Sequence, residues 1–317
     1  MQISGANIIN HQSDTPYRFE RINAARLGHV AQLYEAVYDK KIPVEYYTRK
    51  YNTAYTGVMY TGYLAYNDSG LPVAYYGVIP CFIQYDNRLI LAAQSADTMT
   101  HPAHRNKGLF IILANLTFEL CRIEGICLIY GFPNQNSLPG LLKLGWQIID
   151  TLECFIVPVK TIPVVRIVKK LGLFRNLYNS YYKKVLRRYQ LSQKGIPNFF
   201  NGVYRDDKYL QYKSYNDTFT IQISGALVWF KIQDRFVIGD MIGFENNAEN
   251  VLNDLVKLSR KLGLNALQFQ ASPNTALHAA LKKHYQPVPA FPVMIKDLGS
   301  GITPDKLKFT FADIDIF

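Results

Sequence analysis

Gln94 to Phe110 reads QSADTMTHPAHRNKGLF, and its character changes twice along these residues. Leu89 to Met99 has the composition of a strand, and Pro102, which cannot donate to a ladder, stops it. Arg105 to Gly108 is a turn, and Leu109 to Leu113 are strong helix formers. A strand, turn and helix in this order aim successive backbone N–H groups and the positive end of the helix dipole at one spot. Gly108 permits close backbone approach, and Arg105 and Lys107 add charge suited to a phosphate. A short R-x-x-G alone equally describes a helix-capping turn, so its neighbours have to decide.

On the N-terminal side, Pro16 to Ile22 alternates like a strand. Ala24 to Tyr38 sets Leu27, Val30, Ala31, Leu33, Tyr34 and Val37 near one helical face. Val44 to Asn52 reads as a second helix, and Gly62 to Tyr66 and Val73 to Tyr85 as strands parted by Asn67 to Gly70. On the C-terminal side come the helix Gly108 to Ile123, the strand Cys127 to Phe132, a short helix near Ser137 to Leu144, and the strand Trp146 to Val159. The expected fold class is therefore α+β, an α/β/α arrangement of a mixed, mostly antiparallel sheet with helices on its faces.

HPAHRNKGLF, YGFPNQNS and LLKLGW stand in this order between His101 and Trp146. In these motifs, their order and their spacing, the chain resembles the Gcn5-related N-acetyltransferase superfamily over about Tyr17 to Val159. The family's R/Q-x-x-G-x-G/A loop falls on Arg105, Gly108 and Phe110, with Phe in place of the final small residue. The resemblance implies an acyl-CoA, acetyl-CoA or a close relative, as donor. It also implies a V-shaped gap between the strand ending near Met99 and the strand Cys127 to Phe132, with the pantetheine arm lying in it like an added strand.

The donor-binding residues implied are Met99, Thr100, Arg105, Asn106, Lys107, Gly108, Leu109 and Phe110, with Asn134, Ser137 or Asn136 orienting the pantetheine or a water. Acyl transfer by direct attack of a neutral amine needs a proton acceptor, a backbone N–H near Thr98 to Thr100 for the developing oxyanion, and an acid for the leaving thiolate. Leu141 stands where many relatives carry an acid tyrosine, so Tyr130 is the substitute candidate. Asp97 and His101 are candidate bases. Asp readily bonds local backbone, so the alternative reading of Asp97 is a structural acceptor for turn amides. A His in the position of His101, beside Pro102, is more often a packed loop residue, although its usual pKa suits proton transfer near neutrality. In some two-fold relatives a terminal carboxylate is the base, and this sequence ends in Asp313, Asp315 and Phe317.

The later residues repeat the earlier order. Leu138, Leu142, Lys143 and Trp146 have counterparts in Leu277, Leu281, Lys282 and Tyr285, and Phe155 to Val157 in Met294 to Lys296, at a constant offset of 139. A helix and its following strand held at one register point to duplication. The expected organisation is a flexible tail over 1–15, a CoA-binding domain over 16–158, a basic helical connector over 159–195 and a second domain of the same fold over 196–317. The segment of the second copy that corresponds to the donor loop, GDMIGFENNAENVL, has no basic residue. Its Glu245 and Glu249 would satisfy the helix terminus and repel a phosphate, so this copy is expected to have lost the cofactor and to wall the acceptor cleft.

The formal charge of +11 is local: eleven of the 35 Lys and Arg lie between Cys154 and Arg205, where no acidic residue occurs, and the remaining 24 balance the 24 acids. In the connector Val165, Val168, Leu171, Leu177, Tyr181 and Val185 recur at helical spacing, and Gly172 divides two helices. The segment reads as a solvated helix pair, a contact for an anionic acceptor such as a nucleotide-linked or acidic sugar, or a peripheral contact with anionic lipid. No nucleic-acid motif is present. No segment has eighteen consecutive apolar residues, and the first residues lack the features of a secretion signal, so a cytoplasmic protein is expected. Cys81, Cys121, Cys127 and Cys154 have no paired spacing and imply neither disulfides nor a metal site.

Three functions compete on this reading. The first is acyl-CoA-dependent N-acyltransfer to a small-molecule amine, an amino sugar or other envelope precursor. The second is a Fem-like transferase fed by aminoacyl-tRNA, and the third a CoA-binding module without turnover, which Leu141 favours. Oligomeric state is not legible.

Overall fold

The computed structural model describes residues 16–171, 174–191, 196–197 and 200–317. The expected tail over 1–15 and the break at Gly172 lie outside them. The chain divides into two compact units: one holds residues up to Pro80 together with Ser95–Gly125, the other Cys81–Gln94 together with Ile126–Phe317.

In the first unit, β1 (Arg18–Arg21) pairs antiparallel with β2 (Thr61–Tyr66), which follows helices α1 (Leu27–Tyr38) and α2 (Val44–Lys50). β2 pairs antiparallel with β3 (Pro72–Tyr85), in register from Thr61 opposite Val78 to Ala65 opposite Ala74. Every residue of β2 is buried, as its continuous apolar run suggests. β4 (Arg88–Thr100) leads to α3 (Leu109–Ile123), whose Leu109, Leu113, Ala114, Thr117, Phe118, Leu120 and Cys121 form its buried side. The chain passes from one unit to the other within β3 and again within β4.

The second unit begins with the last residues of β3, from Cys81, and the first residues of β4, where Ala92 to Gln94 pair parallel with Leu128 to Tyr130 of β5 (Leu128–Gly131). After β5 come α4 (Leu138–Lys143), β6 (Gln147–Pro158), α5 (Val164–Leu171), α6 (Arg175–Leu186), β7 (Gln190–Leu191), β8 (Gly202–Val203) and α7 (Asp207–Lys213). The remaining elements are β9 (Thr218–Ile223), β10 (Ala226–Ile232), β11 (Phe236–Ile242), α8 (Ala248–Lys261), β12 (Ala266–Ala271), α9 (Ala276–Lys282) and β13 (Val288–Asp297).

Strand pairing does not follow chain order. β13 lies between β5 and β6, antiparallel to both, and β6 lies between β13 and β12. From β12 the ladder continues in parallel to β11, then antiparallel through β10, β9 and β7. The mixed, mostly antiparallel sheet expected from the sequence is thus present. The starts of α3 and α8, at Leu109 and Ala248, keep the offset of 139, as do the ends of α4 and α9 and of β6 and β13. The last strand of each set of elements therefore sits beside a strand of the other set.

In the final segment Leu307, Phe309 and Phe317 are fully enclosed, and Phe311 to Ile314 are buried. Arg205 anchors it. Its guanidinium donates to both carboxylate oxygens of Asp313, at 2.8 and 2.6 Å, to Thr310 Oγ1 at 2.9 Å, and to Asp240. This fork satisfies a cation that would be costly to bury alone. One of the eleven charges in the basic segment is therefore a core residue. Gly239 admits the Phe317 ring, since a Cβ there would lie 2.2 Å from Phe317 Cζ.

Because β13 supplies the partner of both β5 and β6, a chain ending at Val159 leaves the two strands with unsatisfied edges. Such a fragment should show no cooperative thermal transition by circular dichroism, whereas the full chain should show one.

Candidate active site

The turn after β4 has the backbone that its sequence suggests. β4 ends at Thr100, Pro102–His104 forms a single 3-10 turn, and Asn106 and Gly108 adopt left-handed φ angles of 61° and 73°. Asn tolerates that region and Gly enters it without a Cβ clash. Gly108 is the N-cap of α3 and brings no side chain to its first-turn amides, which leaves those donors available to an anion. Arg105, Asn106 and Lys107 are exposed, while Met99 and Leu109 are buried and hold the turn to the core. Arg105 Nε donates to Thr100 O at 3.4 Å.

Phe110, the departure from the family loop, packs on the core side of α3. Its ring meets Tyr76 edge-on at 5.7 Å, in a cluster with Phe118. The bulky side chain therefore occupies the packing layer under α3 and leaves the backbone of the turn unobstructed.

Among the described residues no turn amide bonds Asp97, although the reading of it as a structural acceptor required one. Its φ of 53° is left-handed, and its Oδ2 accepts from Tyr51 OH at 2.9 Å and pairs with Lys50 Nζ at 2.7 Å. Lys50 is 1% exposed and Tyr51 fully buried. These partners over-determine a backbone conformation that costs about 1–3 kcal/mol. Sequence reasoning found α2 but gave Lys50 and Tyr51 no role. The spacing of Tyr47 on α2 and Tyr51 just past its end, one turn apart with Lys50 between them, was the available signal.

Around this pair runs a series of tyrosines. Tyr34 packs on Tyr38 at 4.7 Å and on Tyr47 at 6.4 Å, Tyr46 packs on Tyr47 at 5.5 Å, and Tyr47 stacks on Tyr51 at 6.4 Å. Burial, with Asp97 nearby, pushes the phenol pKa of Tyr47 up. The Tyr47 hydroxyl is buried and has no hydrogen-bond partner among the described residues.

His101 is a turn residue. Its main-chain N–H donates to Val73 O at 2.8 Å, and its Nδ1 accepts from Ala103 N–H at 3.3 Å. A ring whose Nδ1 accepts carries its neutral-state proton on Nε2, so it has no second lone pair to offer. Its neighbour His104 bonds Tyr17 OH at 2.9 Å. Burial, Lys107 and His101 lower its pKa.

The remaining candidates belong to the second unit. Tyr130 is 1% exposed; its hydroxyl meets Cys81 Sγ at 3.6 Å and its ring lies 4.9 Å from Phe309. Burial raises its pKa well above 10. Asn134 and Ser137 bond each other and form the turn that opens α4, where Asn134 Oδ1 accepts from the N–H groups of Asn136 and Ser137 at 2.9 and 3.1 Å. Leu141 is a buried residue of α4. At the end of the chain, Asp313 is consumed by Arg205, and the main-chain oxygen of Phe317 accepts from Asn216.

Residues 18–149 match the family model described as an acetyltransferase (GNAT) domain. This part of the chain is a GNAT acetyltransferase domain. Its class is that of acyl-transfer enzymes, and members of the family generally use acetyl-CoA as donor. Among solved structures, a probable N-acyltransferase of Enterococcus faecalis V583 superposes with a TM-score of 0.59 at 12% identity, over 90% of this chain and 73% of that one. GCN5-related N-acetyltransferases of Anabaena variabilis and Kribbella flavida give TM-scores of 0.58 and 0.57, each at 12% identity and over 89% of this chain, with 73% and 72% of theirs covered. At that identity the likeness is one of fold, and it reaches well past the GNAT domain. No curated relative matches the sequence. Among the described residues no helix is long and apolar enough to cross a membrane.

Replacing Lys50 by Met should leave the Asp97 carboxylate with Tyr51 alone and lower stability by about 3–5 kcal/mol. Adding Asp97→Asn should recover part of this loss. A double-mutant cycle by urea denaturation measures the coupling.

Proposed function

We propose that the chain moves an acyl group, acetyl in the first place, from acyl-CoA to the amine of a small-molecule acceptor. The observation that carries this reading is the uncapped first turn of α3, entered through left-handed Asn106 and Gly108 and flanked by exposed Arg105 and Lys107. These amides and charges suit the pyrophosphate of the donor. The pantetheine arm would follow β4 from Asp97 to Thr100, where an amide of Thr98 to Thr100 would hold the oxyanion.

In the step itself the amine lone pair attacks the thioester carbonyl carbon, the C–S bond breaks, and the nitrogen loses one proton. Asp97 Oδ1 is the proton acceptor in this proposal, because Lys50 and Tyr51 engage only Oδ2 and the His101 ring serves Ala103. No protein acid is needed for the leaving group. A thiol with a pKa near 8.5 leaves readily as thiolate and takes its proton from water, while Tyr130 keeps its proton in the core.

The tyrosines of α1 and α2 support an acceptor with flat apolar faces and polar edges, and we propose an amino sugar or similar envelope precursor. We further propose that residues 196–317 are a second copy of the fold that has lost the donor. The first turn of α8 supports this, since it carries Glu249 and no basic residue.

Gly108→Glu places an anion and a strained backbone at the amides, and CoA affinity by calorimetry should fall about 100-fold. Asp97→Asn should bind CoA as the natural chain does and lose about 100-fold or more in kcat with an amino-sugar acceptor. Unchanged affinity in Gly108→Glu would overturn the donor site, and unchanged kcat in Asp97→Asn would overturn the base.

A further inference from the structure

Helices α5 and α6 pack against each other and against the C-terminal turn of α8, all within the second unit. That turn ends in backbone carbonyls beyond the regular helical bonding, and side chains from the residues before α5 and from α6 donate to them. Thr161 Oγ1 donates to Arg260 O at 3.3 Å, Tyr181 OH to Lys261 O at 2.8 Å, and Tyr178 OH to Leu262 O at 2.8 Å. Val164 lies against Gly263. These bonds hold the start of α5, the middle of α6 and the end of α8 together as one surface.

Its composition is unusual in two respects. Lys160, Arg166, Lys183, Lys184, Arg187, Arg188, Arg260 and Lys261 are all exposed, and among the described residues no ion pair joins any of them to an acid. Between these charges stand large apolar side chains in water: Ile162 is 70% exposed, Phe174 and Leu177 are each 65% exposed, and Ile167 is exposed as well. Phe174 occupies the left-handed N-cap of α6, where a small polar residue is the usual choice. It spans one helical turn to Leu177. A solvated charged face needs no exposed phenyl group, and an RNA-binding groove favours aromatic rings arranged for base stacking over aliphatic ones. Lys and Arg around protruding Phe, Leu and Ile match an interface of anionic headgroups over acyl chains.

We propose that the α5–α6 face, with the end of α8, docks the protein peripherally on anionic lipid. The basic side chains meet the headgroups, and Ile162, Phe174 and Leu177 enter the boundary of the acyl chains. This surface is independent of the donor site, so its test does not depend on the proposed reaction.

The experiment is co-sedimentation of the full chain with phosphatidylcholine vesicles with and without phosphatidylglycerol. At about 30 mol % of the anionic lipid, partitioning should exceed that on phosphatidylcholine alone by about tenfold or more. Phe174→Ser with Leu177→Ser should lower it about tenfold by removing the inserted apolar groups, and Lys183→Glu with Arg187→Glu should do the same by reversing charge. All four positions are exposed, and unchanged melting temperatures check that the variants fold. No difference between the two vesicle types overturns the proposal. Tight binding to a single-stranded RNA oligonucleotide, with vesicle binding unaffected by the Phe174 and Leu177 changes, also overturns it and assigns the face to polyanions.

Discussion

Strand β13 is hydrogen-bonded to β5 on one edge and to β6 on the other, and the second unit is organised around that insertion. β5 carries the parallel ladder with Ala92 to Gln94 of β4, so within this unit those residues lie on a strand whose other edge is paired by residues near the end of the chain. β6 is in turn the link between β13 and β12. Neither set of elements completes its sheet with its own last strand. Contacts between residues so far apart in sequence form late and slowly, because loop closure precedes the gain from pairing. Buried groups that lock the late segment have corresponding weight, and the Arg205 fork to Asp313 and Asp240 is one of them.

A rigid strand end is what a donor turn requires. Backbone amides select a pyrophosphate only when their directions are fixed beforehand, since ordering them on binding would oppose affinity. Asn106 and Gly108 supply the left-handed geometry, and Phe110 fastens the first turn of α3 to Tyr76 beneath it. Three residues before Thr100, the left-handed Asp97 interrupts the regular strand, and Lys50 and Tyr51 pin it. Donor turn and proposed proton acceptor are thus held by separate clusters, one aromatic and one ionic.

Much of this was legible in the sequence. Helices and strands fell where periodicity and turn residues placed them, and the offset of 139 that joins Leu138 with Leu277 extends to α3 and α8. Pairing partners were not legible, because a pattern of apolar residues says which face of a strand is buried and not which strand lies beside it. The roles of Asp97 and His101 could not be separated by composition either. One depended on a buried lysine from a distant helix and the other on which ring nitrogen accepts a backbone proton. Arg205 read as part of a basic run, while tertiary structure placed it opposite two carboxylates. Phe110 looked like a flaw in the loop because sequence alone does not give the direction of a side chain.

The proposed activity needs a single donor site in a chain whose elements recur: the turn before α3 is basic and has no side-chain cap, whereas the first turn of α8 carries Glu249. Isothermal titration of the full chain with CoA tests this most directly. One CoA per chain is the predicted stoichiometry. Two per chain, or no binding, would contradict it.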